Sequence, residues 1–204
     1  GATAPEHGTS MTGTDDTIMT EEAFDLVGQN RPGRWLVTCD HATNIVPEWV
    51  GGGSLGISTE DMGRHIAWDV GAAGLTHALA DLLDSPAILS RFSRLVIDPN
   101  RGEDDPTILM KLYDGTVIPE NRHAGQKERE ERLNRCYRPY HRAYAKMADR
   151  RDDTVICAVH SFTPQLAGRP PRPWHVGILY SHRDERLARP LIERLRAEPD
   201  LCIG

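Results

Sequence analysis

Two histidines stand directly after apolar segments, at points where the chain becomes polar. His41 follows Trp35-Leu-Val-Thr-Cys39 and Asp40, and His160 follows the run Thr154-Val-Ile-Cys-Ala-Val159. Both runs have the composition of buried strands, and ligands of open α/β sheets bind beyond the carboxyl ends of such strands. We interpret His41 as the first ligand of a catalytic metal ion, and the repeated pattern at His160 favours one shared site.

A third histidine, His65, lies four residues before Asp69. The start signal Ser58-Thr-Glu-Asp61 and the apolar spacing after it predict a helix from residue 58 to about residue 83. Residues four apart share a helix face, so His65 is a candidate second ligand, with Asp69 as the carboxylate that orients it. The spacing alone favours a simpler interpretation, a hydrogen bond on the helix surface.

Polar residues also follow the predicted strand 94–98, whose last residue is succeeded by Pro99, Asn100 and Arg101. Pro99 fixes the exit of the chain and forbids a helical continuation. The irregular segment 102–122 that comes next is long for a compact domain, which is typical of a lid or a pocket wall.

Strands and helices alternate along the chain. We predict strands at 35–39, 86–90, 94–98, 154–160 and 174–180, and helices at 58–83, 124–151 and 185–197. This order indicates an α/β fold, a three-layer αβα sandwich with a mixed, mostly parallel sheet. Pro139 should kink or split the second helix, and the run 154–160 should be a central strand buried on both faces.

The domain organisation predicted from the sequence is simple. Residues 1–33 have no sustained period and should be a largely flexible tail with a short helix near residues 23–27. Residues 34–204 should form a single domain, because there is no internal repeat and no sign of a second core. The segment Leu201-Cys-Ile203 looks like the beginning of another strand, so we expect this domain to lack its natural C-terminal part.

The composition excludes several classes of protein. A formal net charge of -6 argues against nucleic acid as a partner, which requires a basic surface. No apolar run approaches the roughly 20 residues that span a bilayer, and we see no signal peptide, so we expect a cytoplasmic protein. The four cysteines are widely spaced and should be reduced. Cys39 is a candidate nucleophile, although a small buried residue is the better interpretation.

Five segments taken together resemble the N-formylglutamate amidohydrolase family. They are Cys39-Asp-His-Ala-Thr-Asn-Ile-Val-Pro47, His65-Ile-Ala-Trp-Asp-Val-Gly71, Ser93-Arg-Leu-Val-Ile-Asp-Pro-Asn-Arg101, His160-Ser-Phe-Thr-Pro164 and Arg172-Pro-Trp174. The family is similar in fold to zinc carboxypeptidases and to aspartoacylase-like deacylases. Five blocks in order are far more specific than any single one.

The resemblance implies hydrolysis of a small molecule, an N-acyl amino acid such as N-formyl-L-glutamate, which water converts to formate and glutamate. It implies one Zn²⁺ per chain, with His41 and His160 where the related folds place zinc ligands. Arg94 falls near the arginine that polarises the carbonyl group, and Asn100 and Arg101 match the pair that holds a substrate carboxylate.

The chain departs from this pattern at the third ligand. Asn44 stands where the related folds have a ligating glutamate. His65 is our choice for the third ligand, with Asp69 and Asp40 as the other candidates. Asp69 is also the best available proton shuttle to the leaving amine. If a glutamate in the family's later Gly-Asp-Asn-Glu-like run is the general base, it lies beyond Gly204.

Three alternatives remain open. Arg94 and Arg101 could pair with Asp98 and Asp69 and merely organise the edge of the sheet. The substrate could be another N-acyl amino acid or a small peptide. The chain could also be a non-catalytic module of the same fold that binds a carboxylate ligand through Arg101 and holds no metal.

Overall fold

The computed structural model of the chain describes residues 14–204. These residues form two compact units, the first ending at Phe162 and the second spanning Thr163–Gly204, where the sequence predicts one domain over 34–204. The predicted tail residues 1–13 lie outside the described part of the chain. Every site residue predicted above belongs to the first unit.

The first unit is built on a five-stranded sheet with the order β1-β2-β4-β3-β7. Its strands are β1 (Ile18–Thr20), β2 (Phe24–Val27), β3 (Trp35–Cys39), β4 (Ala87–Ser90) and β7 (Val155–Ala158), and a separate hairpin consists of β5 (Leu112–Tyr113) and β6 (Thr116–Val117). The pairs β3–β4 and β3–β7 are parallel, whereas β1–β2 and β2–β4 are antiparallel. The predicted α/β fold with a mixed sheet is confirmed, with its pairings divided equally between the two orientations.

Helices pack on both faces of this sheet, α2 (Ala72–Leu82) on one face and α5 (Arg138–Ala148) on the other. The first unit also contains α1 (Thr59–Met62), α3 (Pro119–Arg122) and α4 (Gln126–Arg132), with a π-helical turn at Leu133–Tyr137, and the second unit contains α6 (Ala188–Arg196). Side chains alternate across β3: Leu36 belongs to the core shared with α5, and Val37 belongs to the core shared with α2. The alternation is the period of two of a β-strand, and it produces the three layers.

Residues 18–27 differ from the prediction of a flexible tail with a short helix. They form β1 and β2, which extend the sheet through antiparallel pairing of β2 with β4. The apolar residues of Phe24–Val27 are compatible with either structure over so short a run. The pairing with β4, whose residues lie 60 or more positions further along the chain, decides in favour of the strand.

The helix predicted over 58–83 is interrupted. Ser58 caps α1 as predicted, its Oγ accepting the backbone N–H of Asp61 at 3.0 Å. The chain then leaves the helix at Gly63 and re-enters it after Gly71, whose φ of 80° belongs to the left-handed region. Glycine adopts this conformation without a steric penalty. His65 and Asp69 therefore lie in an irregular connection and do not share a helix face.

Three strand predictions also require correction. Residues 94–98 form no strand, although residues 95–98 are buried. β7 is an outer strand of the sheet, with Ile156 45% exposed, and is not a central strand buried on both faces. Within the second unit, the predicted strand 174–180 is reduced to a bridge between Val176 and Ile203. The composition of a segment shows that it is apolar, but the segments next to it in the fold determine whether it pairs as a β-strand.

The helix predicted over 124–151 is present as α4, the π-helical turn and α5. The irregular turn precedes Pro139, where the sequence predicts a kink. A proline ring clashes with the carbonyl of the residue four positions earlier and removes one helical donor. A wider turn at Leu133–Tyr137 accommodates the proline without ending the helix.

The long excursion 102–122 contains the hairpin β5–β6 and the short helix α3. Asp114 and Gly115 make its tight turn with φ values of 43° and 81°. Within residues 14–204, no helix is both long and apolar enough to cross a membrane.

Candidate metal centre

His41, Asp69 and His160 converge beyond the ends of β3 and β7. They are the group of potential metal ligands found among the described residues, and one ligand atom from each lies within 4.8 Å of the others. Asp69 Oδ2 lies 3.4 Å from His41 Nδ1 and 3.0 Å from His160 Nδ1. The two imidazole rings are 5.2 Å apart between centroids. Two nitrogen donors and one carboxylate oxygen therefore face a common point.

The sheet brings the two histidines together. β3 and β7 are parallel neighbours, with Thr38 paired to Ala158, so His41 and His160 leave the same edge of the sheet two or three residues later. Asp69 arrives from the irregular connection between α1 and α2, where its backbone N–H donates to the carbonyl of His41 at 2.9 Å. The sequence prediction that both strand-end histidines share a site agrees with this geometry.

The second ring nitrogen of His41 is held by a buried carboxylate. His41 Nε2 lies 2.7 Å from Asp98 Oδ1, and both side chains are only 1% exposed. If Nε2 donates its proton to Asp98, Nδ1 presents a lone pair toward Asp69 and His160. This is the arrangement in which a carboxylate fixes the tautomer of a metal-binding histidine.

The charges of the site act on its pKa values in opposite directions. Burial disfavours protonated His41, but hydrogen bonds to Asp69 and Asp98 outweigh it and raise the pKa of His41. Burial also disfavours ionised Asp69, yet the bonds to His160 and His41 lower the pKa of Asp69 well below its usual value. Asp69 is therefore a carboxylate and a weak proton acceptor.

Arg94 connects the two buried carboxylates. Its Nη1 lies 3.3 Å from Asp69 Oδ1 and its Nη2 lies 3.3 Å from Asp98 Oδ2. The guanidinium also lies over the ring of Tyr113 in the hairpin, 5.3 Å from the centroid. Arg94 therefore has the carboxylate partners that the simpler alternative predicts, and the same contacts place its charge beside the triad.

Arg101 and Asn100 lie at the outer side of Asp98. Arg101 Nε is 3.4 Å from Asp98 Oδ2 and its Nη1 is 3.6 Å from Asp105 Oδ2, with the side chain 32% exposed. The backbone N–H of Asn100 donates to Asp98 Oδ1 at 2.9 Å, and the residue is exposed. Both contacts of Arg101 are longer than a strong charge-assisted hydrogen bond, so the guanidinium is held loosely.

Two candidates for the third ligand lie elsewhere. His65 Nε2 faces Asp114 Oδ2 at 3.1 Å, at the hairpin turn, and does not belong to the triad. Asn44 donates from its side chain to the carbonyl of Met62 at 2.8 Å. Of the candidates for the third ligand, Asp69 is the one whose oxygen lies within 3.4 Å of both His41 and His160.

Asp40 and Cys39 lie close by without joining the triad. Asp40 Oδ2 is 3.6 Å from His160 Nε2, on the side of the ring away from Asp69. Cys39 is fully buried, and burial raises the pKa of its thiol to about 12. A thiol with this pKa carries almost no thiolate at neutral pH, so Cys39 is a packed core residue.

Three further groups contribute to the site and are not among the residues predicted from the sequence. Asp98 is predicted only as a partner for arginine, although the strand-end pattern that identified His41 applies to it as well. Tyr140 lies within the predicted helix 124–151 and was not a candidate site residue, yet its hydroxyl donates to Asp40 Oδ1 at 2.7 Å. The backbone N–H of Ser161 donates to Asp69 Oδ2 at 3.2 Å, a contact for which a sequence carries no signal.

A mixed sheet with imidazole and carboxylate groups gathered beyond its strand ends defines an α/β protein with a candidate metal-binding site. The sequence model of the N-formylglutamate amidohydrolase family matches residues 33–204. The chain belongs to that family, which indicates a hydrolase of this type.

Solved structures support the same assignment of fold. The crystal structure of a gene product from Agrobacterium tumefaciens is similar with a TM-score of 0.82 and 29% identity, over 90% of this chain and 72% of that one. The N-formylglutamate amidohydrolase from Ralstonia eutropha JMP134 has a TM-score of 0.57 and 20% identity, over 90% and 76% of the two chains, and shows the fold alone. A search of curated proteins found no significant match.

Proposed function

We propose that the chain is a zinc-dependent amidohydrolase that removes the formyl group, or a related small acyl group, from an N-acyl amino acid such as N-formyl-L-glutamate. The observation that carries this proposal is the convergence of His41, His160 and Asp69 around one point, in a chain whose family is named for that reaction.

The donor set suits one Zn²⁺ per chain. Two histidines and one carboxylate are a ligand set of catalytic zinc, which keeps a fourth position open. Three aspartates, Asp40, Asp69 and Asp98, are buried around the two histidines, so a divalent cation would relieve an excess of negative charge. When bound, zinc supplies a Lewis acid and a source of hydroxide at neutral pH.

Asp69 fits the ligand set better than proton transfer. Its Oδ2 faces both imidazoles and its Oδ1 faces Arg94, so both oxygens are engaged. The lowered pKa of Asp69 makes it a poor acceptor for a proton in transit. We therefore propose His41, Asp69 and His160 as the ligands, in place of the set with His65.

Arg94 is the residue we propose to stabilise the negative charge that develops on the carbonyl oxygen. Its guanidinium is only 14% exposed and is held by two carboxylates, so it is oriented before substrate binds. Donors preorganised in this way contribute roughly 3–4 kcal/mol to such transition states. Arg94→Lys keeps the positive charge but loses the two parallel N–H donors of the guanidinium, so it should lower kcat and leave zinc affinity nearly unchanged.

Arg101 is the proposed clamp for the substrate carboxylate, with Asn100 beside it. The guanidinium is one-third exposed and its contacts to Asp98 and Asp105 are long, so a substrate carboxylate can take a bidentate position. Arg101→Ala should raise KM about 10- to 100-fold, the worth of a charged hydrogen bond of roughly 1.5–3 kcal/mol. A fall confined to kcat would contradict the clamp.

Two measurements test the proposed function. Zinc content should be one per chain in wild type and lost in His41→Ala and His160→Ala, and amine release from a panel of N-acyl amino acids should identify the acyl and amino-acid parts. Turnover of another N-acyl amino acid or a small peptide would keep the mechanism and change the substrate.

The second candidate function is a non-catalytic module that binds a carboxylate ligand through Arg101. The ion pairs of Arg94 with Asp69 and Asp98 favour it, because they already neutralise the charge that would stabilise a transition state. No zinc uptake by wild type at neutral pH, with an N-acyl amino acid bound and not hydrolysed, would favour this second function.

A further inference from the structure

Tyr140 lies in α5 behind the candidate metal centre, and the proposed mechanism does not use it. Its side chain is fully buried, and its ring meets that of Phe92 edge-on at 6.3 Å between centroids. Its hydroxyl donates to Asp40 Oδ1 at 2.7 Å. A phenol has one proton to donate, and burial raises the pKa of Tyr140 well above its usual value, so this donor is committed to Asp40.

Asp40 is immobilised by this bond and by its own backbone. Its carbonyl accepts the hydroxyl of Ser90 at 2.6 Å, which ties the end of β3 to the end of β4. With Oδ1 engaged by Tyr140, the second oxygen, Oδ2, is the one that faces the site. It lies 3.6 Å from His160 Nε2, within the range of an ion-pair contact.

His160 is the less firmly held imidazole of the triad. Its side chain is 33% exposed, against 1% for His41. Each ring turns one nitrogen toward Asp69 and the other toward a second carboxylate, Asp98 for His41 and Asp40 for His160. A carboxylate on the far nitrogen fixes both the tautomer and the orientation of a metal-binding histidine.

We propose that Tyr140 is a positioning residue of the metal centre: its hydroxyl fixes the Asp40 carboxylate, and Asp40 orients the ring of His160. The inference rests on the proposed metal-dependent function. The competing explanation is that Tyr140 is a core residue whose hydroxyl only satisfies a buried carboxylate, in which case the metal centre does not depend on it.

The test is the dissociation constant for Zn²⁺, measured on folded protein by competition with a chelator. Tyr140→Phe removes one oxygen and keeps the packed ring. We expect it to weaken zinc binding about 10- to 100-fold, the usual effect of losing a partner behind a ligand. Tyr144→Phe is the matched control, since it removes a hydroxyl from the next turn of α5, 6.1 Å from Tyr140 between ring centroids, and it should leave the affinity unchanged.

A second variant, Asp40→Asn, tests the contact between Asp40 and His160. It also replaces Tyr140→Phe in the experiment if that variant does not fold. It should weaken zinc binding to a similar extent, and the double variant should lose little more than either single one, because both act through the same contact. Additive losses would mean that Asp40 acts without Tyr140 and would overturn the proposal.

The two proposals fail in distinguishable ways. If wild type binds zinc and Tyr140→Phe binds it equally well, the positioning role is wrong and the metal-dependent function stands. If wild type binds no zinc, both are wrong.

Discussion

The two histidines of the triad occupy contrasting surroundings. His41 is sealed at the end of β3 with a 2.7 Å contact to Asp98, whereas His160 follows the outer strand β7, is one-third exposed and has its second carboxylate 3.6 Å away. Buried charges are worth several times more than exposed ones, because water screens them less. His41 should therefore contribute more to the stability of the fold than His160 does, although His160 also bonds to the buried carboxylate of Asp69.

Removing His41 is expected to have the largest effect. His41→Ala would abolish zinc binding and leave Asp69 and Asp98 without their buried partner, which should lower the free energy of unfolding by about 3–5 kcal/mol. Urea denaturation and metal analysis check this. An unfolding midpoint equal to that of wild type would contradict the expectation that His41 contributes to the stability of the fold.

His160→Ala should separate the two effects. Zinc binding should be lost, because a triad ligand is missing. The free energy of unfolding of the metal-free protein should fall by about 1–2 kcal/mol, less than in His41→Ala, because buried Asp69 loses its bond to His160 but keeps His41 and Arg94 as partners. The same denaturation experiment in the presence of a chelator gives the number. A loss as large as that of His41→Ala would remove the contrast between the two residues.

Asp98→Asn should weaken zinc binding about 10- to 100-fold, since the amide can no longer fix His41 as a carboxylate does. The size of this loss, set beside that of Asp40→Asn, measures how differently the two rings are supported. Equal losses from the two variants would show that a 2.7 Å and a 3.6 Å contact become equivalent once metal is bound.

Of these variants, His65→Ala should have the smallest effect on zinc affinity. Its partner is Asp114 at the hairpin turn, so zinc affinity should remain that of wild type in a chelator competition. A loss comparable with that of His160→Ala would restore His65 to the ligand set and displace Asp69 from it.

The local elements that carry the site are predictable from the sequence. β3, β4 and the helical stretch of α4 and α5 follow from composition and apolar period, and so do the positions of His41 and His160 directly after apolar segments. These features depend on residues close together in the chain, which is why pattern and propensity suffice for them.

The partners of those residues were predicted less well. His65 and Asp69 were placed on one face of a continuous helix, but the helix is interrupted between Gly63 and Gly71. The strand position of residues 18–27 depends on pairing with β4. In both cases a local pattern allowed two structures, and tertiary contacts selected one.

By itself, the sequence determined the family, the α/β class and the two imidazoles at strand ends, because short-range periodicity and five ordered motifs encode them. Only the tertiary structure decided that Asp69 completes the triad, that Asp98 supports His41 and that Tyr140 reaches Asp40. The last pair is separated by 100 residues, and no local rule relates side chains that meet only after the sheet and α5 have packed together.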